Sequence, residues 1–386
     1  MSQWMRDDLQ QLRAAGLLRR RRRLASGQGA EVRYRLADHV NFSSNDYLAY
    51  AGDERLARAA IRAVQRYGTG AGASALVSGY LPPLQALERD LAAWEDTEEA
   101  LVFSSGFAGN LAVLSTLADR QDALFSDAYN HASLIDGCRL SRAAVYVYRH
   151  GDLGHLDELL RQHGPAARRR ILVSDSVFSM DGDVADLPGL LRLARTHDAL
   201  LVLDEAHATG VLGEHGRGLT DLLPENPYRE DRLIKVGTLS KALGCQGGFV
   251  VGSRTLCRWL VNRARPYIFS TALAPAIAAA ARRAVFLVGS EPQRRQHVLA
   301  LAAHLREQLA ALGLKVGPSV CQIVPVIVGE PDKAVALSRY LETKRLLVPA
   351  IRPPSVPPGT SRLRISLTAA HTEEDVQRLV EALRTS

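Results

Sequence analysis

An α/β fold, with a mostly parallel central sheet covered by helices and a smaller α+β domain at its C-terminal end, is what this sequence predicts. Three observations carry that reading. Short apolar runs such as ILVSD (171–175), LLVLD (200–204) and LIKVGT (233–238) have the near-continuous hydrophobicity of strands buried on both faces. Helical stretches lie between them, and repeated strand–helix units imply parallel pairing. At 386 residues the chain is long enough for one large domain and a smaller one. These divide it into an N-terminal helix and arm (1–50), a large domain (51–285) and a small C-terminal domain (286–386).

The elements follow in order. MSQWMRDDLQQLRAAGLLRRRRR (1–23) reads as an amphipathic helix ending in arginines, which suits the negative end of the helix dipole. Asp7 and Asp8 count against a transit peptide, and no secretory apolar segment follows. VNFSSNDYL (40–48) is a short strand breaking into a polar turn, and RLARAAIRAVQRYG (55–68) is an amphipathic helix stopped by Gly68. GTGAGASALVSGY (68–80) has the glycines of a dinucleotide fingerprint, but that fingerprint must follow a strand and this segment follows a helix. Loop glycines allowing close backbone approach are the better reading. PPLQALERDLAAW (82–94) is a helix, ALVFSSG (100–106) a strand end, and FAGNLAVLSTLA (107–118) the next helix. ALFSDAYNHASL, AVYVYRH, ILVSDSVFSM, LLVLDEAH, LIKVGTLSK and GGFVVGS supply further strands. Past residue 285, VPVIVG (324–329) and SRLRISLTAA (361–370) sit among helices.

Composition removes several functions. The formal charge is +7, and all but five of 48 basic side chains are arginine, densest from Arg19 to Arg23. No RNA-module or zinc-finger spacing accompanies them, so no nucleic-acid partner is expected. Solvated helix faces account for the balance, or attraction for a polyanionic substrate such as a coenzyme A phosphate or an acidic carrier protein. No apolar run reaches the roughly 18 residues a membrane span requires. Four cysteines stand far apart with no CxxC pair, which argues against a metal site or a disulfide framework and for a reducing, cytoplasmic setting. Asp204-Glu205-Ala206-His207 spells a helicase motif, yet none of the five lysines follows a glycine. The phosphate-cradling loop of such motors is therefore missing.

Four strand ends carry chemistry. SSGFAGN (104–110) places small residues at a helix start, where free N–H groups and the positive helix end form an anion seat. Asp204 and His207 close an apolar strand; singly, one could cap a helix and the other sit satisfied in the core. Lys241, in TLSKALG (238–244), is a retained lysine in a chain that prefers arginine. An ammonium can lose its proton and attack a carbonyl, which a guanidinium cannot. Phosphate seat, Asp, His and Lys together match the needs of pyridoxal 5′-phosphate (PLP): lysine for the aldehyde, a helix end for the phosphate, a carboxylate for the pyridine nitrogen. His207 suits the phenolic oxygen and His131, in NHASL, the open ring face.

NFSSNDYL, SGY, SSGFAGN, NHASL, VFSMDGD, DEAHATG, TLSKALG, FSTALAP and AIRPPSVPPGTSRLRISLTAAH run nearly end to end. As a set they resemble the α-oxoamine synthases, fold-type I PLP-dependent transferases that condense an amino acid with an acyl thioester and release CO₂. The resemblance implies Lys241 as Schiff-base lysine, Asp204 as pyridinium partner, and Gly106, Phe107, Ser179, His207 and Thr238 as cofactor contacts. It implies His131 stacking on the ring and facing substrate, and Thr271 reaching the phosphate of a neighbouring subunit in a homodimer with shared sites. Arg352 would pair with the amino acid carboxylate. Asn45 and Ser355 would assist, and Arg21 would contact the acyl substrate. Within the family the resemblance of the SGY segment and the AIRPP tail implies L-alanine and a pimeloyl thioester, carried by coenzyme A or an acyl carrier protein, as substrates. Ser355 stands where the resembling enzymes often have Thr, which keeps the hydroxyl and loses a methyl.

Overall fold

The computed structural model describes residues 2–19 and 21–385, and the chain forms two compact units. The larger comprises Tyr50–Phe178 and Val184–Arg295; the smaller is assembled from Met1–Ala49, Ser179–Asp183 and Gln296–Ser386. First along the chain come α1 (Gln3–Ala14), β1 (Glu31–Tyr34) and β2 (Ala37–Asn41), all in the smaller unit. The larger unit begins with α2 (Glu54–Tyr67), α3 (Pro82–Glu95), β3 (Glu99–Phe103), α4 (Gly106–Leu117) and β4 (Ala123–Asp127). It continues through α5 (Ala132–Ser141), β5 (Ala144–Tyr148), α6 (Leu153–His163), β6 (Arg170–Asp175), α7 (Leu187–Thr196) and β7 (Ala199–Asp204). Then follow β8 (Leu233–Thr238), β9 (Gly248–Gly252), α8 (Arg254–Arg263), α9 (Arg265–Ile268) and α10 (Pro275–Ser290). The chain finishes with α11 (Pro292–Ala311), β10 (Ile323–Gly329), α12 (Pro331–Thr343), β11 (Leu346–Leu347), β12 (Ala350–Ile351), β13 (Ser361–Ser366) and α13 (Glu373–Arg384).

In the larger unit seven strands form one sheet in the order β3-β9-β8-β7-β6-β4-β5. The run from β8 to β5 is parallel, while β9 is antiparallel to both β3 and β8. Side chains alternate between two cores. Ile171 and Val173 of β6 and Val202 of β7 enter one apolar cluster, whereas Leu172, Leu201 and Leu203 enter another. Both faces are thus buried, which is why the strand centres read as nearly continuous apolar runs and not as a strict apolar–polar alternation. Parallel pairing also brings the ends of β4, β6, β7 and β8 to one edge, where open α/β sheets place their ligands.

One glycine, Gly248, sets α4 against that edge, and a second, Gly237, lets β8 and β9 pack closely beneath it. A Cβ on Gly237 would lie 2.2 Å from the Phe249 ring, and one on Gly248 would lie 2.3 Å from the Gly106 nitrogen. The helix start therefore rests almost directly on the strand backbone, an approach that any larger residue would prevent. Ser105 caps the helix, its hydroxyl accepting from the Ala108 N–H at 3.1 Å.

The smaller unit holds two three-stranded sheets, β1-β2-β11 and β10-β13-β12. Strand β11 pairs in parallel with β2, Leu346 opposite Val40, so the two ends of the sequence share a sheet. The first helix differs from its expected form. It stops at Ala14, Gly16 takes a left-handed φ of 67°, and the described arginines of the 19–23 run lie outside any helix. No residue of α1 is buried, so packing gives the helix no reason to extend. Among the described residues no helix is long and apolar enough to cross a membrane.

Candidate active site

The C-terminal edge of the large sheet carries a continuous polar network. Asp204 ends β7 in register with Asp175, which ends β6. Both are buried. One Asp204 oxygen accepts the Ala206 N–H at 2.8 Å, and the other accepts Asn110 Nδ2 at 2.6 Å. The same Asn110 amide donates to Ser133 Oγ at 2.8 Å, and that hydroxyl lies 2.7 Å from His131 Nδ1. The His131 backbone N–H in turn donates to Asp175 at 2.6 Å. A ring of contacts thus runs from one strand-end carboxylate to the other through α4 and the start of α5. Among the described residues no helix begins directly after Asp204, so it caps none.

The charges at this edge feel one another. Crowding by the surrounding protein lowers the His131 pKa; the Asp204 carboxylate opposes that shift and Lys241 adds to it. Burial and the Asp204 charge push Asp175 well above the usual carboxylate range, against the His131 N–H and Lys241. Asp204, His131 and Lys241 therefore share one electrostatic neighbourhood. The N-terminus of α4 joins them, because a Cβ on Gly106 would lie 3.4 Å from Thr238 Cβ at the end of β8. The Thr238 hydroxyl lies 2.7 Å from Ser240 Oγ and donates to the Gly247 carbonyl at 3.0 Å, which pins the turn leading to Lys241. Phe107 meets the His131 ring edge-on at 6.4 Å between centroids. His207 is buried three residues past Asp204. Thr271 is exposed, and its neighbour Ala272 donates to the Ala73 carbonyl at 3.0 Å, tying this segment to the glycine-rich loop.

The other expected residues lie in the smaller unit. Arg364 Nε donates to the Ser179 carbonyl at 2.5 Å, and Nη1 donates to Asn45 Oδ1 at 3.1 Å, joining two of them. Arg352 donates to the Gly16 carbonyl, Arg19 donates to Ser355 Oγ at 3.2 Å, and Arg21 and Arg352 line one cavity. Asn110, Ser133, Asp175 and Arg364 were missed as site residues from sequence. Asn110 and Ser133 stand inside SSGFAGN and NHASL, but nothing in the spacing says that they touch Asp204 and His131.

The donor set at the sheet edge fits PLP. It offers a buried carboxylate held from two sides, a lysine and a histidine within its field, and a helix N-terminus pressed against the lysine's strand. Comparison with known proteins agrees. Residues 37–383 match the family described as aminotransferase class I and II. The chain belongs to that family. Within it, it stands among the α-oxoamine synthases, and PLP is their cofactor. The chain is 46% identical, over 98% of its length and 94% of the relative's, to an 8-amino-7-oxononanoate synthase of Anaeromyxobacter dehalogenans. A serine palmitoyltransferase from S. paucimobilis, solved with bound PLP and myriocin, superposes with a TM-score of 0.92 at 28% identity, covering 99% of this chain and 96% of that one. The 8-amino-7-oxononanoate synthase of Francisella tularensis gives 0.78 at 29% identity, covering 90% and 97%.

Proposed function

We propose that the chain condenses L-alanine with a pimeloyl thioester to give 8-amino-7-oxononanoate, CO₂ and free thiol, a step of biotin biosynthesis. The observation that carries this reading is the 46% identity, across nearly the whole chain, to an enzyme of that name. The sheet-edge network supplies what the reaction needs. When bound, PLP provides a protonated ring that draws electrons from the amino acid's α-carbon. Asp204 keeps the ring nitrogen protonated, since a neighbouring negative charge favours the charged form. Asn110 and the Ala206 N–H hold that carboxylate in place. Lys241 would hold the aldehyde of the bound cofactor and would serve as the general base for the α-proton. Gly106, Phe107 and Thr238 would hold the phosphate at the start of α4, and His207 would donate to the phenolic oxygen. His131, its pKa lowered, is neutral at pH 7 and faces substrate. Its shift means that the group protonates below the ordinary histidine range, so turnover should fall as the solution is made acidic.

In the smaller unit Arg352 offers a guanidinium fork to the amino acid carboxylate. Asn45, Ser179 and Ser355 assist, and Arg21 takes the acyl substrate. Thr271 serves the phosphate site of a second subunit, so the working form is a homodimer, with its setting the cytoplasm.

A second reading is a serine palmitoyltransferase type of condensation, favoured by the higher TM-score to that enzyme. One assay separates the two. Protein loaded with PLP is given pimeloyl-CoA or palmitoyl-CoA together with alanine, glycine or serine, and CO₂ release is followed. Alanine with the pimeloyl thioester should be fastest; preference for serine with palmitoyl-CoA would overturn the first reading. Lys241→Ala should abolish turnover and leave no borohydride-fixed cofactor on the peptide spanning position 241, where the parent carries it, by mass spectrometry.

A further inference from the structure

His131 has two ring nitrogens, and a neutral imidazole holds its single N–H proton on one of them. The neighbours decide which. The Ser133 backbone N–H, which can only donate, reaches His131 Nδ1 at 3.3 Å. Ser133 Oγ meets the same nitrogen at 2.7 Å. The direction of this second bond is set one residue further back. Asn110 directs its amide hydrogens to Asp204 at 2.6 Å and to Ser133 Oγ at 2.8 Å. The Ser133 oxygen therefore accepts from Asn110, and its own proton needs an acceptor. Ser133 is 1% exposed, so that acceptor must come from the protein, and His131 Nδ1 supplies it.

A proton on Nδ1 would instead set the ring N–H against the Ser133 backbone N–H and leave the buried hydroxyl without its acceptor. Nδ1 is thus the bare nitrogen, and Nε2 carries the hydrogen. The ring is neutral to begin with, since desolvation lowers its pKa. Nε2 makes no hydrogen bond among the described residues, and His131 is exposed. The backbone behind the ring is fixed as well. His131 N–H donates to Asp175 at 2.6 Å. Its neighbour Asn130 accepts the Asp175 N–H at 2.9 Å and donates to the Val173 carbonyl at 2.8 Å. With the turn held to β6, rotation of the imidazole is the freedom left, and the two contacts at Nδ1 restrain it.

We infer that Ser133 is a positioning residue that fixes His131 as the Nε2–H tautomer, so that the ring offers a substrate oxygen a hydrogen-bond donor and not a base. The inference rests on the reading above that His131 faces substrate. The thioester carbonyl oxygen gains negative charge as the new carbon–carbon bond forms, and a donor already in place stabilises that charge. The bonds from Asp204 through Asn110 and Ser133 polarise one another, so the pyridine-facing carboxylate and the substrate-facing imidazole belong to one relay.

The test reads the ring directly. The chain has 11 histidines, so the ¹⁵N-histidine spectrum of the PLP-loaded enzyme is assigned by the signal lost in His131→Asn. In the parent at neutral pH, Nδ1 should show the shift of an unprotonated ring nitrogen and Nε2 that of a protonated one. Ser133→Ala should move both towards a mixture of tautomers and lower kcat by about two- to tenfold, with KM for alanine and pimeloyl-CoA near the parent's. Ser133→Thr, which keeps the hydroxyl, should restore spectrum and kcat together. A protonated Nδ1 in the parent overturns the inference, whether or not the variants fold. So does a Ser133→Ala enzyme with mixed tautomers and the parent's rate, or one that loses rate while the His131 signals stay put. The expected tautomer in a protein that never consumes alanine would sink the condensation reading and leave the assignment standing. Turnover of alanine and pimeloyl-CoA by a parent protonated at Nδ1 would do the reverse.

Discussion

Asn110 shows how a single amide organises the site. It reaches Asp204 at 2.6 Å and Ser133 at 2.8 Å from a fully buried position, while its own Oδ1 has no hydrogen-bond partner among the described residues. Replacing it by leucine leaves the Asp204 carboxylate one donor short, and an unsatisfied buried acceptor costs about 1–3 kcal/mol. Asn110→Leu should therefore weaken PLP binding by about ten- to a hundredfold, read by titrating the apoprotein with PLP and following absorbance. Unchanged affinity would show that Asp204 needs no help from α4. This contact was not legible in the sequence, because it joins positions 94 apart whose meeting depends on strand order. Asp204 and Lys241 stood out as candidates in the sequence for the opposite reason. Asp204 ends an apolar run and announces itself by the break in pattern, while Lys241, three residues past β8, is a retained lysine in a chain that prefers arginine.

Between elements, the packing of α3 on β3 buries a carboxyl. Glu88 accepts the Val102 N–H at 3.0 Å and the Tyr80 hydroxyl at 2.8 Å, and burial raises its pKa to about 7. A raised carboxyl keeps its proton in the folded state longer than in the unfolded chain. Its contribution is present below pH 4.5 and is lost as pH climbs through about 7. At about 1.4 kcal/mol per unit this amounts to no more than roughly 3 kcal/mol. Glu88→Gln keeps the shape and cannot ionise, so its urea midpoint should fall less than the parent's between pH 5 and 8. A residual slope should remain, since Glu95 is also raised to about 7, by burial that outweighs its ion pair with Lys235 at 2.6 Å. Identical pH profiles for parent and variant would refute the role of Glu88. Helix and strand positions were readable from pattern, Gly68 ending α2 with a left-handed φ of 79° as anticipated. The stop of α1 at Ala14 was missed, although Gly16, in the left-handed conformation that closes helices, was the sequence signal for it.

For the chain entire, the cofactor is part of the stability. A ligand that binds only the folded form at a hundred times its dissociation constant adds about 2.7 kcal/mol. Stripping PLP should lower the melting temperature by roughly 3 °C, and adding it back should restore the loss, as followed by circular dichroism. A melting curve blind to PLP would contradict a preformed site at the sheet edge. The mostly parallel sheet was foreseeable from repeated strand–helix units. That the first 49 residues build one unit with Gln296–Ser386 was not, since pattern along a sequence carries no record of which distant segments pair. That pairing has a price in time. The Ser43 hydroxyl donates to the carbonyl of Leu347, 304 positions onward. On a ribosome adding about 5–20 residues per second, the nascent arm waits roughly 15–60 s for the strand that will complete it. The segment Tyr50–Phe178 emerges and can begin to collapse during that interval, while β2 offers its bare edge to whatever chaperone or neighbouring nascent chain is at hand.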